Sequence, residues 1–282
     1  MPTENSKEPL DAWTESAPYW RKHAAVVRKL FEPITIALLE AAAIERAESV
    51  LDVAGGAGEP SLTIARALRE KGSVVFTDGV REMVLTTRDE AERAGLINMH
   101  FTQCVGEALP FRSHSFDAVV SRLGVMLFSD PAASIREMIR VLKPDGRMAL
   151  AVWHTQISNP FFYVAASVLA RFVQSPPEDP DAPGAFRFAE PGKLGGLLVA
   201  AGAIDVNSSL LKFTIEAAIT PRQFWQLRSE LSETLRGKLA TLSQAQLDSI
   251  SSEVEKAGEA FYERGSMRFP AEVLIVSGRK QP

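Results

Sequence analysis

The run Val50-Leu51-Asp52-Val53-Ala54-Gly55-Gly56-Ala57-Gly58-Glu59-Pro60 carries the densest chemical signal in the chain. An apolar stretch ends around an acid, and a turn of small residues then lets the backbone pass close to a bound ligand before the next helix starts. Two chemistries use such a turn. A dinucleotide binder spaces its glycines G-x-G-x-x-G and sets a pyrophosphate on the helix N-terminus. Here Gly56-x-Gly58 is followed by Ser61 at the third glycine position, and Ala54 takes the earlier small position, so that fingerprint fits poorly. Asp52, just ahead of the turn, suits a cationic amino-acid ligand better than a pyrophosphate.

Other residues could take part in chemistry, each with a plainer use beside it. His154 follows the fifth β-rich run, on the side of an α/β sheet where ligands bind, and is the best candidate for a general base; a loop histidine with a structural hydrogen bond is the alternative. His23, His100 and His114 carry no such placement. Arg122, directly after the fourth β-rich run, can pair with a carboxylate or form a surface salt bridge. Met126, Phe128, Phe161, Phe162, Tyr163, Phe224 and Trp225 could wall an apolar substrate pocket or simply fill a core. Cys104 reads as a small buried hydrophobe rather than a nucleophile.

The elements that must position these residues alternate from residue 49 onward. Short β-branched runs are predicted at Ser49–Val53, 73–77, 98–103, 116–120 and 147–153, with helices at 60–70 and 82–94 and a turn at 143–146. Asp130 before Pro131 is predicted to cap a helix running to residue 142. This order gives a parallel sheet covered on both faces. Pro176, Pro177, Pro180 and Pro183, interleaved with acids, predict an exposed loop. Beyond it the pattern predicts a helix at 191–201, a strand at 206–215, two amphipathic helices and a last strand at 272–279. Thr220 with Gln223 and Ser243 with Gln246 have capping-box spacing for those two helices, over about residues 220–265. The expected layout is an N-terminal tail and helices over residues 1–48, then an α/β domain over 49–282 whose helical insertion walls off a pocket.

Size and charge bound the partners. The chain has 282 residues, 46% of them hydrophobic and 23% charged, which suits a folded globular protein. Thirty-one basic against 35 acidic residues give a net charge of −4, so general phosphate binding to nucleic acid is not expected. One cysteine excludes an intrachain disulfide and a multi-cysteine metal site, and fits a cytoplasmic setting. Residues 1–10 read as a solvated tail without the apolar core of a secretory signal, and no run is long and apolar enough for a membrane span. The apolar N-terminal helices and the helical insertion offer a dimer face, so a homodimer is among the expected assemblies.

Taken together, these motifs resemble the class I S-adenosylmethionine-dependent methyltransferases, and among them the group that includes the quinone-biosynthesis carbon methyltransferases. The resemblance rests on Asp52 with Ala54-Gly55-Gly56 and Gly58, on Asp78, on Glu107-Ala108-Leu109-Pro110-Phe111, on Ser115-Phe116-Asp117-Ala118-Val119-Val120-Ser121, and on Arg140-Val141-Leu142-Lys143-Pro144-Asp145-Gly146-Arg147, in order over about residues 49–153. It implies a Rossmann-like, doubly wound, seven-stranded sheet, mostly parallel with an antiparallel last strand. It also implies S-adenosylmethionine as methyl donor and S-adenosylhomocysteine as product. Asp78 would accept both ribose hydroxyls, with Gly79 and Met83 beside it. Val105, Gly106 and Glu107 would flank the adenine, Ser121 and Arg122 would close the far side, and Tyr19, Trp20 and Trp13 would fold over the cofactor.

Two positions depart from the group: Ala57 stands where threonine is usual, and Val105 where an aspartate or asparagine reaches the adenine amino group. The implied activity is methyl transfer to an oxygen or carbon of a small, partly apolar acceptor. The competing reading is a non-catalytic or regulatory protein that keeps the fold without turnover, and a nicotinamide oxidoreductase is a third.

Overall fold

The computed structural model describes residues 9–174 and 179–282. The expected solvated tail lies outside the described residues except at its end, where Pro9 and Leu10 already belong to the first helix. Of the proline-rich loop, Pro176, Pro177 and Glu178 lie outside as well.

Helices α1 (Pro9–Leu30) and α2 (Glu32–Ala41) lead into β1 (Ser49–Val53). The α/β alternation follows as α3 (Ser61–Leu68), β2 (Ser73–Asp78), α4 (Arg81–Arg93), β3 (Met99–Gln103), β4 (Phe116–Arg122), α5 (Pro131–Val141) and β5 (Leu142–Trp153). The chain continues through α6 (Pro160–Leu169), α7 (Lys193–Ala200) and β6 (Ile204–Ala217) into α8 (Pro221–Leu231), α9 (Glu233–Leu239) and α10 (Gln244–Gly258). It closes with β7 (Tyr262–Glu263) and β8 (Ser266–Arg279).

The sheet order is β3-β2-β1-β4-β5-β8-β6. Strands β1 to β5 run parallel, with Leu51 opposite Val75 and Val119, while β8 is antiparallel to both β5 and β6. The seven expected strands form this path, and β7 adds an eighth, two residues long, paired with the start of β8. The reason is the two-residue turn Arg264-Gly265, both at positive φ (52° and 86°), which suits the twist of a tight hairpin and starts β8 at Ser266 rather than near 272.

Several boundaries move for local reasons. The expected turn at 143–146 is part of β5, because Leu142 already pairs with Phe116; the register shifts before Arg147 meets Ala118, with Asp145 at φ +63°. The periodic run after Thr220 is two helices instead of one. Ser232 is extended (φ −96°, ψ 111°), and its hydroxyl accepts the Leu235 amide to cap α9. The caps themselves form as their spacing predicts: Asp130 accepts from the Ala133 amide at 2.8 Å, and Gln223 and Gln246 reach back to the amides of Thr220 and Ser243.

Apolar burial orders the whole. Val50, Leu51 and Val53 of β1, Val119 and Val120 of β4 and residues 148–153 of β5 are all buried, as strands covered on both faces must be. Helices α3 and α4 pack against β2, and α2 against β5 and β8. Among the described residues no helix is long and apolar enough to cross a membrane.

Candidate active site

The sheet order runs outward from β1 in one direction and from β4 in the other, so a crevice must open between the C-terminal ends of these two strands. A cleft of about 380 Å³ lies there. Its floor is Ala54, Gly55, Gly56 and Ala57 after β1, with Asp78, Gly79 and Val80 after β2, and Arg122, Leu123 and Gly124 after β4. Residues 104–107 form one side, and Leu10, Trp13, Trp20 and Val27 of α1 with Phe31 form the opposite wall.

The turn after β1 is bent by left-handed backbone at Ala54 (φ +57°) and Gly56 (φ +56°). Leu123, facing the same cleft from β4, is left-handed too (φ +64°). Such a conformation costs a residue with a Cβ about 1–2 kcal/mol, so Ala54 and Leu123 each place local strain where a strand ends at the cleft. Gly124 allows the close approach: a Cβ there would lie 2.8 Å from the Ala54 Cβ and 2.7 Å from the Ser121 Oγ.

Backbone amides hold the acids. Asp78 accepts the Gly56 amide through Oδ2 and the Val80 amide through Oδ1, both at 2.9 Å. Burial pushes its carboxyl up to about 6, against the pull of those two amides. Asp52 is fully buried beneath Gly55, with Oδ2 accepting the Ser61 hydroxyl at 2.7 Å and Oδ1 unpartnered. Burial raises it to about 7, opposed by Ser61 and by the Arg122 charge. Arg122 donates to Thr35 Oγ1 at 2.9 Å; burial lowers its basicity, and Glu59 and Asp52 hold it up. Cys104 lines the cleft as a protonated thiol, its pKa raised by burial to about 11.

Of the residues singled out from the sequence, Ala54, Gly55, Gly56, Asp78, Gly79, Met83, Val105, Gly106, Glu107, Arg122 and Trp20 line the cleft. Asp52, Gly58, Ser121 and Tyr19 do not; the first three lie behind the floor, and the Tyr19 ring instead sits 4.7 Å from the Arg236 guanidinium. His154 is also outside. Its amide donates to the Glu272 carbonyl at 3.0 Å and its Nδ1 meets Glu272 Oε2 at 2.8 Å, so the ring follows the β5–β8 pairing away from the cleft. Of the proposed apolar wall only Phe128 lines it. Phe161, Phe162 and Phe224 belong to a separate aromatic cluster around Arg228, and Tyr163 is exposed.

Sequence reasoning missed Glu59, Val27, Phe31 and Leu123. Glu59 is 3% exposed, lies 3.1 Å from Arg28 Nε and has an Oε1 without a hydrogen bond. As the acid that closes the glycine turn it was readable from the sequence; Phe31 and Leu123 owe their place to the tertiary approach of α1 and to backbone strain.

The unpartnered atoms describe what the cleft accepts. Of the residues that line the cleft, Trp20 has a buried Nε1 donor without a partner, and Glu59, ion-paired with Arg28, has an Oε1 that accepts no hydrogen bond. A zwitterionic ligand with an apolar ring fits a cleft whose walls are mostly apolar and whose floor carries both signs of charge.

The sequence profile of the ubiE/COQ5 methyltransferase family matches residues 32–174. Ubiquinone/menaquinone biosynthesis C-methyltransferases UbiE of Escherichia coli and Shigella boydii are 32% identical over 135 residues, 48% of this chain and 53% of theirs. The chain thus spans about half the length of the curated relatives it matches. Among solved structures, YcgJ from Bacillus subtilis superposes with a TM-score of 0.57 at 20% identity, over 88% of this chain and 98% of that one. Phosphoethanolamine N-methyltransferase 2 from Haemonchus contortus, in complex with S-adenosyl-L-methionine, gives 0.58 at 16% identity over 99% and 61%. The [4+2]-cyclase SpnF gives 0.54 at 18% over 95% and 96%. These likenesses share one fold across differently named activities.

Proposed function

The chain belongs to the ubiE/COQ5 methyltransferase family, and from that premise we propose that it transfers a methyl group from S-adenosylmethionine to an oxygen or carbon of a small, partly apolar molecule. The observation that carries the reading is the cleft at the β1/β4 switch, with left-handed small-residue backbone, a buried acid at the end of β2, and an acid and a base, Glu59 and Arg122, on its lining.

When bound, S-adenosylmethionine supplies an activated sulfonium methyl for in-line attack, leaving S-adenosylhomocysteine. The chain's own part is to bind, align and exclude water. Gly55 and Gly56 offer backbone with no side chain in the way. Asp78 keeps free lone pairs on both carboxylate oxygens for the ribose hydroxyls. Glu59 faces the cleft where Asp52 does not, and takes the cationic end, with Arg122 on the carboxylate. Val105 offers the adenine an apolar face, so polar recognition falls to the backbone near Gly106 and to Glu107. Trp20 and Val27 of α1 shut out solvent.

The test is calorimetric titration with S-adenosylmethionine, S-adenosylhomocysteine and a reduced nicotinamide nucleotide. Micromolar binding of the first two alone is expected. Binding of the nucleotide instead would overturn the reading. Turnover is then read as S-adenosylhomocysteine release with candidate acceptors; cofactor binding without methyl consumption across them would favour the non-catalytic alternative.

A further inference from the structure

Strand β6 ends the sheet on its side and is 14 residues long, as is its neighbour β8. It pairs along one edge only. Among the described residues no strand lies beyond it, and over residues 207–216 nothing else in the chain hydrogen-bonds to its backbone. A long open edge is a template for another strand, which proteins either blunt or use. This stretch contains no proline, and its register with β8 is unbroken from Asn207 to Ala217.

One face of β6 is bare. Ser208, Leu210, Lys212, Thr214 and Glu216 alternate along it and are all exposed, whereas Ile215 on the opposite face is buried. The register sets Lys212 opposite Glu272, Thr214 opposite Pro270 and Glu216 opposite Arg268. Both charged rows are ion-paired at 3.0 Å, Lys212 with Glu272 and Arg268 with Glu216. The sign order reverses from one row to the other, so the pattern is complementary to itself.

An antiparallel copy turned about a two-fold axis at Thr214 brings Lys212 against Glu216 twice. Each charged row then alternates in sign across four strands: Glu272, Lys212, Glu216, Arg268. Thr214 meets Thr214 on the axis, and on the other face Phe213 meets Ile215 twice. Opposite charges, paired threonines and an aromatic beside a β-branched side chain are the cross-strand pairs that stabilise antiparallel sheets. Other registers lack them. An axis at residue 212 or 216 opposes like charges, and one at residue 213 or 215 leaves both charges without an opposite.

We propose that the outer edge of β6 binds the same edge of a second copy of this chain, antiparallel and two-fold symmetric about Thr214, so that the two sheets become one. No residue of β6 lines the cleft, so each copy keeps its own site, and the pairing does not depend on the methyl-transfer reading.

The experiment uses the full chain in sedimentation velocity and light scattering at micromolar concentration. The wild type is expected to be a dimer. Lys212→Glu and Glu216→Lys each oppose like charges twice, and each should weaken association about tenfold or more. The double reversal should recover most of that loss. It leaves Glu272 and Arg268 each facing a like charge within the chain, so recovery can come only from contact between copies. Thr214→Cys sets two thiols on the axis, where opposed Cα atoms lie about 4.5–5.5 Å apart, within disulfide range. Mild oxidation should link them. Ser208→Cys, whose two copies lie roughly 40 Å apart along the strands, and the wild type, with Cys104 alone, should not link. A monomeric wild type, a dimer indifferent to both single reversals, a double reversal that recovers nothing, or Thr214→Cys linking no better than Ser208→Cys overturns the proposal. If circular dichroism shows that the reversed chains do not fold, the cysteine variants decide it.

Discussion

Asp78 Oδ2 accepts the Gly56 amide at 2.9 Å, so the acid that ends β2 and the glycine turn that follows β1 are tied together within the protein itself. The same carboxylate takes the Val80 amide, which fixes the start of the chain's path into α4. The ligand-facing acid is thus also a structural bracket.

Asp78→Ala is expected to act twice. The buried Val80 amide and the half-buried Gly56 amide lose their acceptor, at about 1–3 kcal/mol for a donor left unsatisfied, and the cofactor loses a charged acceptor. Urea unfolding should show a lower midpoint, and calorimetry a weaker S-adenosylmethionine affinity. Unchanged affinity would remove Asp78 from the binding site.

Asp52 and Asp78 make the ligand-free fold pH-sensitive in a defined direction. Burial raises their carboxyls to about 7 and about 6 from 3.8, so the folded chain holds these protons more tightly than the unfolded one. Their contribution to stability is fully present below about 3.8 and is lost as pH rises through about 6 and about 7. Asp52→Asn should remove a loss on the order of a few kcal/mol between pH 5 and pH 8, at roughly 1.4 kcal/mol for each tenfold difference in proton affinity between folded and unfolded chain. Denaturant unfolding of both proteins at the two pH values measures it, and an equal change in stability for the two would refute it.

Two adjacent glycines should respond differently to alanine. At Gly55 the new Cβ would lie 2.4 Å from Phe76 Cε2 and 2.7 Å from Asp52 Oδ2, both on fully buried side chains, so Gly55→Ala should cost about 1–3 kcal/mol of stability by overpacking. At Gly56 the Cβ meets nothing within 4 Å, and the cost is the left-handed backbone, about 1–2 kcal/mol. Gly56→Ala therefore changes cofactor affinity more than packing. Thermal melting and calorimetry on the two variants separate the effects.

His154→Ala should leave cofactor affinity intact and turnover far above the about 10²–10⁴-fold loss that follows removal of a general base. Its ring is spent on Glu272, whose carboxyl Lys212 and His154 together hold down to about 2. A loss in that range, with a changed pH–rate profile, would restore the histidine to the mechanism.

The floor of the cleft was legible because it is local chemistry: an acid, small residues and an acid again, each at the end of a strand whose apolar run is unmistakable. The strand order followed from the same alternation. His154 was misplaced because chain position fixes which end of the sheet a residue occupies, but not which neighbour its ring will meet; Glu272 comes from 118 residues away. Val27 and Phe31 were missed for a related reason. Their roles exist only once α1 and the segment before α2 lie across the crevice. Tyr19 and Trp20 are neighbours in sequence, and the helix sends one to Arg236 and the other to the cleft.

Helix α1 gives one wall of the cleft, and it is fastened to the helical insertion. Lys22 and His23 both reach Glu230 of α8, at 2.7 and 2.6 Å, and Arg236 of α9 bonds Ser16. Residence time is the property this sets. The more firmly the helix is fastened to the insertion, the more steadily that wall stands against a bound ligand, so contacts that line no part of the cleft bear on how long the ligand stays.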